Sequence, residues 1–301
     1  MESVVSFPKN IGGGLTEYVS DDRDFSLGAM YDTPVIIPDQ DFIVAPIVKI
    51  KDQESSDLCT SYALTAVSED QEGIELSPEF TFAKTKELMG TWQTWGASLR
   101  DACRSAVKIG FLEQQSSPYV LSRDGRNTVA NWENWDKKYD MDAISHKKEA
   151  FFSVDGQYDM FDNIRATLWR WRNEKRSIAT GIKWRSEWTD TKAGVLPIEY
   201  GLGQYGHAFK VCGQKNIFNK WYLIAQLSNG TSIGNQGMFY MPREVVNKEF
   251  NYGAYMFKDL PENIGKDQAI EKSMLYRKGI VARTWFFFNK AVHTWWDEVL
   301  R

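Results

Sequence analysis

The chain has 301 residues, 43% hydrophobic and 25% charged, which excludes disorder throughout and provides apolar side chains for one large domain or two lobes sharing a core. A net charge of −4 supplies no global basic field, so nucleic acid is not expected as a partner. The three cysteines, at 59, 103 and 212, have no metal-ligand or redox spacing and make no disulfide framework, which with the absence of a secretory-type leader or a long uncharged apolar run predicts a reducing, cytoplasmic compartment.

Residues 1–40 carry Gly12 to Gly14 and scattered prolines without a sustained period, and read as an extended arm lying on the domain. Residues 41–50 alternate and end in IVKIK, which predicts a strand, and the turn-like DQESSD follows. From Cys59, the run CTSYALTAVSEDQ puts Tyr62, Ala63, Ala66 and Val67 on one helical face, with Ser55, Ser56 and Asp57 as candidate caps. A second helix is expected over 77–89, opened by Ser77 and Pro78, and a third over 98–109, stopped by Gly110.

The polar stretch 120–155, with Trp132 and Trp135, reads as a connection between lobes. Phe161, Ile164, Leu168 and Trp171 then mark an amphipathic helix. After it SIATGIKW, GHAFKVCGQ, KWYLIAQLS and GMFYMP are short apolar runs between glycines and polar turns, the texture of strands. Helices first and strands later predict an α+β protein. Residues 264–301 return to helical periodicity and mix Lys272, Arg277 and Arg283 with Trp285, Phe286 and Trp295; this segment suits either a membrane or protein contact or a helix docked on the core.

Cys59 sits in the first turn of its helix, where aligned N–H groups stabilise a thiolate. A thiolate nucleophile needs an imidazole partner, and the chain offers only His146, His207 and His293. His207 is singled out because Gly206 and Gly213 bracket it within a strand, leaving room for a close-approaching group. Cys103 and Cys212 read as packing, and His146 lies in the charged SHKKE run.

Taken together, VKIKDQESSDLCTSYALTAVSE, LSPEF, GASLRDACRSAVKIGFLEQQSSPY, GHAFKVCG and KWYLIAQLSNGTSIGNQGMFYMP resemble, in order, blocks of the papain-like cysteine proteases over residues 45–258. The resemblance implies a two-lobe fold, with a helical left lobe, an antiparallel barrel-like right lobe and the active-site cleft between them. It implies a peptidase domain over 41–263 between the arm (1–40) and a C-terminal extension (264–301). Cys59 would form a thioester, His207 would act as acid and base, and Gln53, six residues before the cysteine, would stand in the oxyanion hole. Gly96 and Ala97 would form a wall that pairs with an extended peptide or protein substrate; no metal or cofactor is implied.

The sequence departs from the family in two places. Asp57, Leu58 and Thr60 replace the usual flank of the nucleophile, and Ser56 replaces a half-cystine. The Asn-Ser-Trp-Gly block appears as QLSNG with one residue more after Trp221, so the His-orienting residue is Gln226 counted forward, Leu227 counted back, and Asn229 by residue type. Gln226 is favoured because its amide oxygen can accept the imidazole N–H as asparagine does, with a one-residue bulge at Leu227 absorbing the difference. Two rival readings follow, a papain-fold binding or structural protein without turnover, of phage or bacterial type, and an amide hydrolase or acyl transferase acting on non-peptide bonds. The arm is shorter than the family's usual inhibitory propeptide, yet long enough to cover the cleft.

Overall fold

Two short strands from the first part of the chain, β1 (Phe25–Ser26) and β2 (Phe42–Ile43), are followed by the helices that the apolar spacing predicts. They are α1 (Cys59–Glu72), α2 (Pro78–Met89) and α3 (Leu99–Lys108). The structure is a computed structural model, and it describes residues 14–16, 25–26, 36–119, 126–154, 158–191, 193–203 and 205–259. The expected helix over 264–301 lies outside them.

Local chemistry sets two of the three helix starts. Ser77 accepts from the Phe80 N–H at 3.1 Å with Pro78 in the first turn of α2, and Ser98 accepts from the Asp101 N–H at 3.1 Å at the start of α3. α1 differs from expectation. Its N-cap is Leu58, with no side-chain cap, and the Ser56 hydroxyl instead donates to the Gln53 carbonyl at 2.6 Å. Packing holds this start, because α1 is buried along nearly its whole length, including Thr60, Ser61, Thr65, Glu69 and Asp70. A helix covered on all sides has no polar stripe, so its amphipathic reading understated its burial.

The region read as a connection carries α4 (Arg126–Ala130), α5 (Lys137–Ala143) and a strand, β3 (Lys148–Ser153). KEAFFS has weak alternation, and its partners come from distant parts of the chain, which is why the periodicity did not announce it. Next come α6 (Met160–Arg170), β4 (Ile178–Trp184), α7 (Ser186–Thr189), β5 (Tyr205–Ile217), β6 (Lys220–Gln226), β7 (Met238–Pro242), α8 (Arg243–Glu249) and β8 (Ala254–Asp259). The four strands expected from SIATGIKW onward are all present, and β8 adds a fifth that the reading left out.

The strands form one sheet in the order β1-β3-β8-β4-β5-β6-β7, with β2 pairing on β5. Pairing is antiparallel except between β1 and β3. The strand predicted over 41–50 shrinks to β2, where the Phe42 carbonyl lies over Gly213; a Cβ there would stand 2.1 Å from that oxygen. One apolar cluster joins the sheet to α6 and α8 through Phe161, Ile164, Leu168, Val245 and Val246. A second joins α1 and α3 to the sheet through Cys59, Leu64, Val67, Ala102, Ala179 and Ala208. The molecule is thus α+β, with a helical lobe and a sheet lobe meeting along α1.

Candidate active site

Cys59 opens α1 and is fully buried. Its sulfur is faced by the backbone N–H groups of Ala208, Thr60 and Cys59 itself. Burial nonetheless pushes the thiol up to about 12, aided by the Asp57 carboxylate and opposed by those three N–H groups. In this state Cys59 is a neutral thiol. Ala208 is the residue after His207, so β5 brings the backbone adjoining His207 to the helix start that carries the cysteine.

His207 is fully buried and pairs with Ile182 in the β4–β5 ladder. The Trp184 ring stands edge-on to the imidazole, with centroids 5.7 Å apart, and is itself packed against Trp188 and Phe239. Trp184's place here is not legible from spacing, because it precedes His207 by 23 positions and only the antiparallel return of β5 brings the rings together.

The β5–β6 register decides among the orienting candidates. Gln226 pairs with Lys210, whose side chain reaches Asp70 on α1 at 2.7 Å. Directly paired residues project to the same side, so Gln226 faces α1, where its amide donates to the Lys49 carbonyl at 3.2 Å. His207 projects to the opposite face with Phe209 and Val211. The structure therefore does not bring Gln226 to His207, correcting the forward count. Leu227 is on the His207 face and buried in the apolar core. Asn229, two residues on, is fully buried and pairs with Asp52 in an isolated antiparallel bridge.

Gln53 is fully buried in the turn before α1. Its side-chain oxygen accepts from the Ser228 hydroxyl at 2.5 Å, its amide nitrogen donates to the Ser56 carbonyl at 2.7 Å, and its backbone N–H donates to the Ser228 carbonyl at 2.7 Å. The turn is thus tied to the segment that also carries Asn229.

Gly96 and Ala97 line the opposite wall, and an extended chain does lie along it: residues 14–16 of the arm. The Ala97 N–H donates to the Gly14 carbonyl at 2.8 Å, and the Thr16 N–H donates to the Ala97 carbonyl at 3.2 Å, a parallel bridge centred on Leu15. Leu15 in turn donates to the Gly206 carbonyl at 3.2 Å, so the arm spans both walls. Gly96 has φ of +72°, and a Cβ there would stand 2.3 Å from the Gly14 oxygen. The room read at Gly206 is filled by Leu15, whose carbonyl would lie 2.4 Å from an added Cβ. The Leu15 side chain belongs to the apolar cluster of Cys59, Ala179 and Ala208, and is 8% exposed.

Cys103 and Cys212 are buried in the apolar clusters, in line with packing roles. His146 binds Glu72 through Nδ1 and lies 3.3 Å from Glu113 through Nε2, far along α1 from Cys59. His293 lies outside the described residues.

The chain matches no protein-family model and no curated protein sequence. It is similar in structure to xylellain, a cysteine protease from Xylella fastidiosa, at 18% identity and a TM-score of 0.68, over 84% of this chain and 98% of that one. It is similar also to procathepsin B of Trypanosoma congolense, at 16% identity and a TM-score of 0.61, over 83% and 87%. A third likeness is to the bromelain protease of Ananas comosus in complex with the E64 inhibitor, at 17% identity and a TM-score of 0.50, over 71% and 94%.

Proposed function

We propose that this chain, which has the papain-like fold, is a cysteine peptidase in a closed state. The observation that carries the reading is the meeting of α1 and β5: a cysteine in a helix's first turn, three N–H groups facing its sulfur, and a histidine in the adjoining strand position. Once the arm leaves and water returns, the burial that holds the thiol neutral is relieved, while the helix start and the N–H groups continue to favour the thiolate.

In the reaction, the Cys59 sulfur attacks the peptide carbonyl carbon and the C–N bond breaks. His207, protonated in the ion pair, gives its proton to the leaving amine. Water then hydrolyses the thioester with His207 as base. The Cys59 backbone N–H and the Gln53 side-chain amide are the donors assigned to the oxyanion, a contribution of a few kcal/mol in such sites. Asn229 is the residue assigned to orient the imidazole. The E64 inhibitor bound by bromelain supports an extended, peptide-like ligand in this cleft, pairing with Ala97 where the arm now does.

A second reading has one observation in its favour. The aliphatic Leu227, on the His207 face, cannot orient an imidazole, which suits a binding protein without turnover. Labelling with iodoacetamide and with a peptidyl epoxide separates the two. In the arm-released Leu15→Asp chain, a peptidase's Cys59 reacts fastest of the three cysteines and adding His207→Ala slows it; if Cys59 there reacts no faster than Cys103 or Cys212, the peptidase reading is lost. A peptide library then distinguishes peptide-bond cleavage from acyl transfer to other bonds.

A further inference from the structure

The loop 91–96 joins α2 to α3 and carries the wall of the cleft, and no disulfide holds it, since all three cysteines are free. Beneath it lies Lys86, in the last turn of α2 and fully buried. Its ammonium donates to the Gly96 carbonyl at 2.7 Å and to the Thr94 hydroxyl at 3.1 Å, and stands 5.7 Å from the Phe82 ring centroid. Among the described residues no carboxylate forms an ion pair with it. Burial alone brings its pKa down to about 8. A buried ammonium without a counter-ion must be met by oxygen donors of electron density, and here the loop supplies them.

The geometry of the peptide bond gives this contact its consequence. In a trans peptide unit the C=O and the following N–H point in opposite directions. With the Gly96 carbonyl drawn inward to Lys86, the Ala97 N–H must point outward into the cleft, where it meets the Gly14 carbonyl at 2.8 Å.

We propose that Lys86 is a positioning residue, which aims the Ala97 backbone at whatever extended chain occupies the cleft: the arm in the closed state and a peptide substrate after its release. The arm half of this inference stands on its own; the substrate half rests on the peptidase reading.

Amide hydrogen exchange on the full chain tests it, comparing wild type with Lys86→Met and Thr94→Val. In Lys86→Met the Ala97 and Thr16 amides exchange about tenfold faster or more, while the β5–β6 ladder keeps its protection. Unchanged exchange at Ala97 and Thr16 overturns the proposal. Should Lys86→Met lose the β5–β6 protection as well, Thr94→Val decides: faster exchange confined to 91–97 and 14–16 supports the role, and wild-type exchange there refutes it. In peptide hydrolysis Lys86→Met raises KM severalfold and leaves kcat near its wild-type value, and a fall in kcat at unchanged KM refutes the substrate half. If the exchange changes as expected but no form of the chain cleaves peptides, the peptidase reading fails and the hold on the arm remains.

Discussion

Leu15 donates its backbone N–H to the Gly206 carbonyl, one residue before His207, and sends its side chain into the cluster that contains Cys59. One arm residue therefore touches the strand of the candidate base and the surroundings of the candidate nucleophile together. Leu15 is thereby part of the apolar surroundings whose burial keeps the thiol neutral.

Leu15→Asp would place an unpaired carboxylate among apolar side chains and cost more than the roughly 1.5–3 kcal/mol that a buried leucine contributes. The arm then leaves the cleft. Iodoacetamide labelling of Cys59, followed by mass spectrometry, is expected to speed up by about tenfold or more. A rate equal to wild type would show that Leu15 does not close the site.

The pH dependence of labelling follows from the raised Cys59 thiol at about 12. Only the thiolate reacts, and a thiol with an elevated pKa stays protonated at neutral pH. In wild type the labelling rate should climb steadily up to pH 10 without a plateau. In Leu15→Asp the climb begins at lower pH; superimposable profiles for the two chains contradict the closed-state account.

Asp70 and Lys210 form a buried pair at 2.7 Å that ties α1 to β5 three residues past His207. Burial raises the Asp70 pKa, and Lys210 works against that rise. Lys210→Met alone strands the carboxylate and should cost about 3–5 kcal/mol in denaturant unfolding, whereas Lys210→Met with Asp70→Leu should be neutral or stabilising by about 1–4 kcal/mol. Equal losses in the single and double variants would mean that the pair's charge is not what matters.

His146, Glu72 and Lys148 form a clasp at the far end of α1, with Lys148 2.7 Å from Glu72 and bound also to Asp259. Burial works to raise the Glu72 pKa, but His146 and Lys148 outweigh it and leave it at about 2. Burial works to lower the His146 pKa, and Glu72 and Glu113 outweigh it to give a net rise. The Glu72 contribution is present above the ordinary carboxylate pKa and fades as pH falls toward 2. The His146 contribution is complete below the ordinary imidazole pKa and fades as pH rises through its folded value. His146→Gln should therefore lose most stability between about pH 5 and 6 and least near pH 9. A loss independent of pH argues against the clasp.

The orienting residue separates by substitution. Asn229→Ala should lower kcat for peptide hydrolysis by about tenfold or more, by analogy with the loss when a triad imidazole is misaligned. Gln226→Ala, on the α1 face, should leave kcat within about twofold, since it removes one backbone contact away from the imidazole. The reverse ranking would restore Gln226.

Sequence periodicity alone was enough for the three helices from Cys59, for β4 to β7 and for the helix-then-sheet order, because capping residues and runs of buried apolar side chains are local signals. It also made Cys59 and His207 candidates, through a helix start and a bracketing pair of glycines, and the family resemblance, with Gln53 six residues before the cysteine, was needed to give them catalytic roles. It could not choose among Gln226, Leu227 and Asn229, since one added residue shifts a count and only the pairing of Gln226 with Lys210 says which face each side chain takes. It missed β3 and β8, whose partners are far off in the chain. Nor could it show that Leu15 fills the room beside His207 or that Lys86 steadies the opposite wall. Those facts depend on contacts made when the arm, α2 and β5 fold against one another, and no spacing along the sequence encodes such distances.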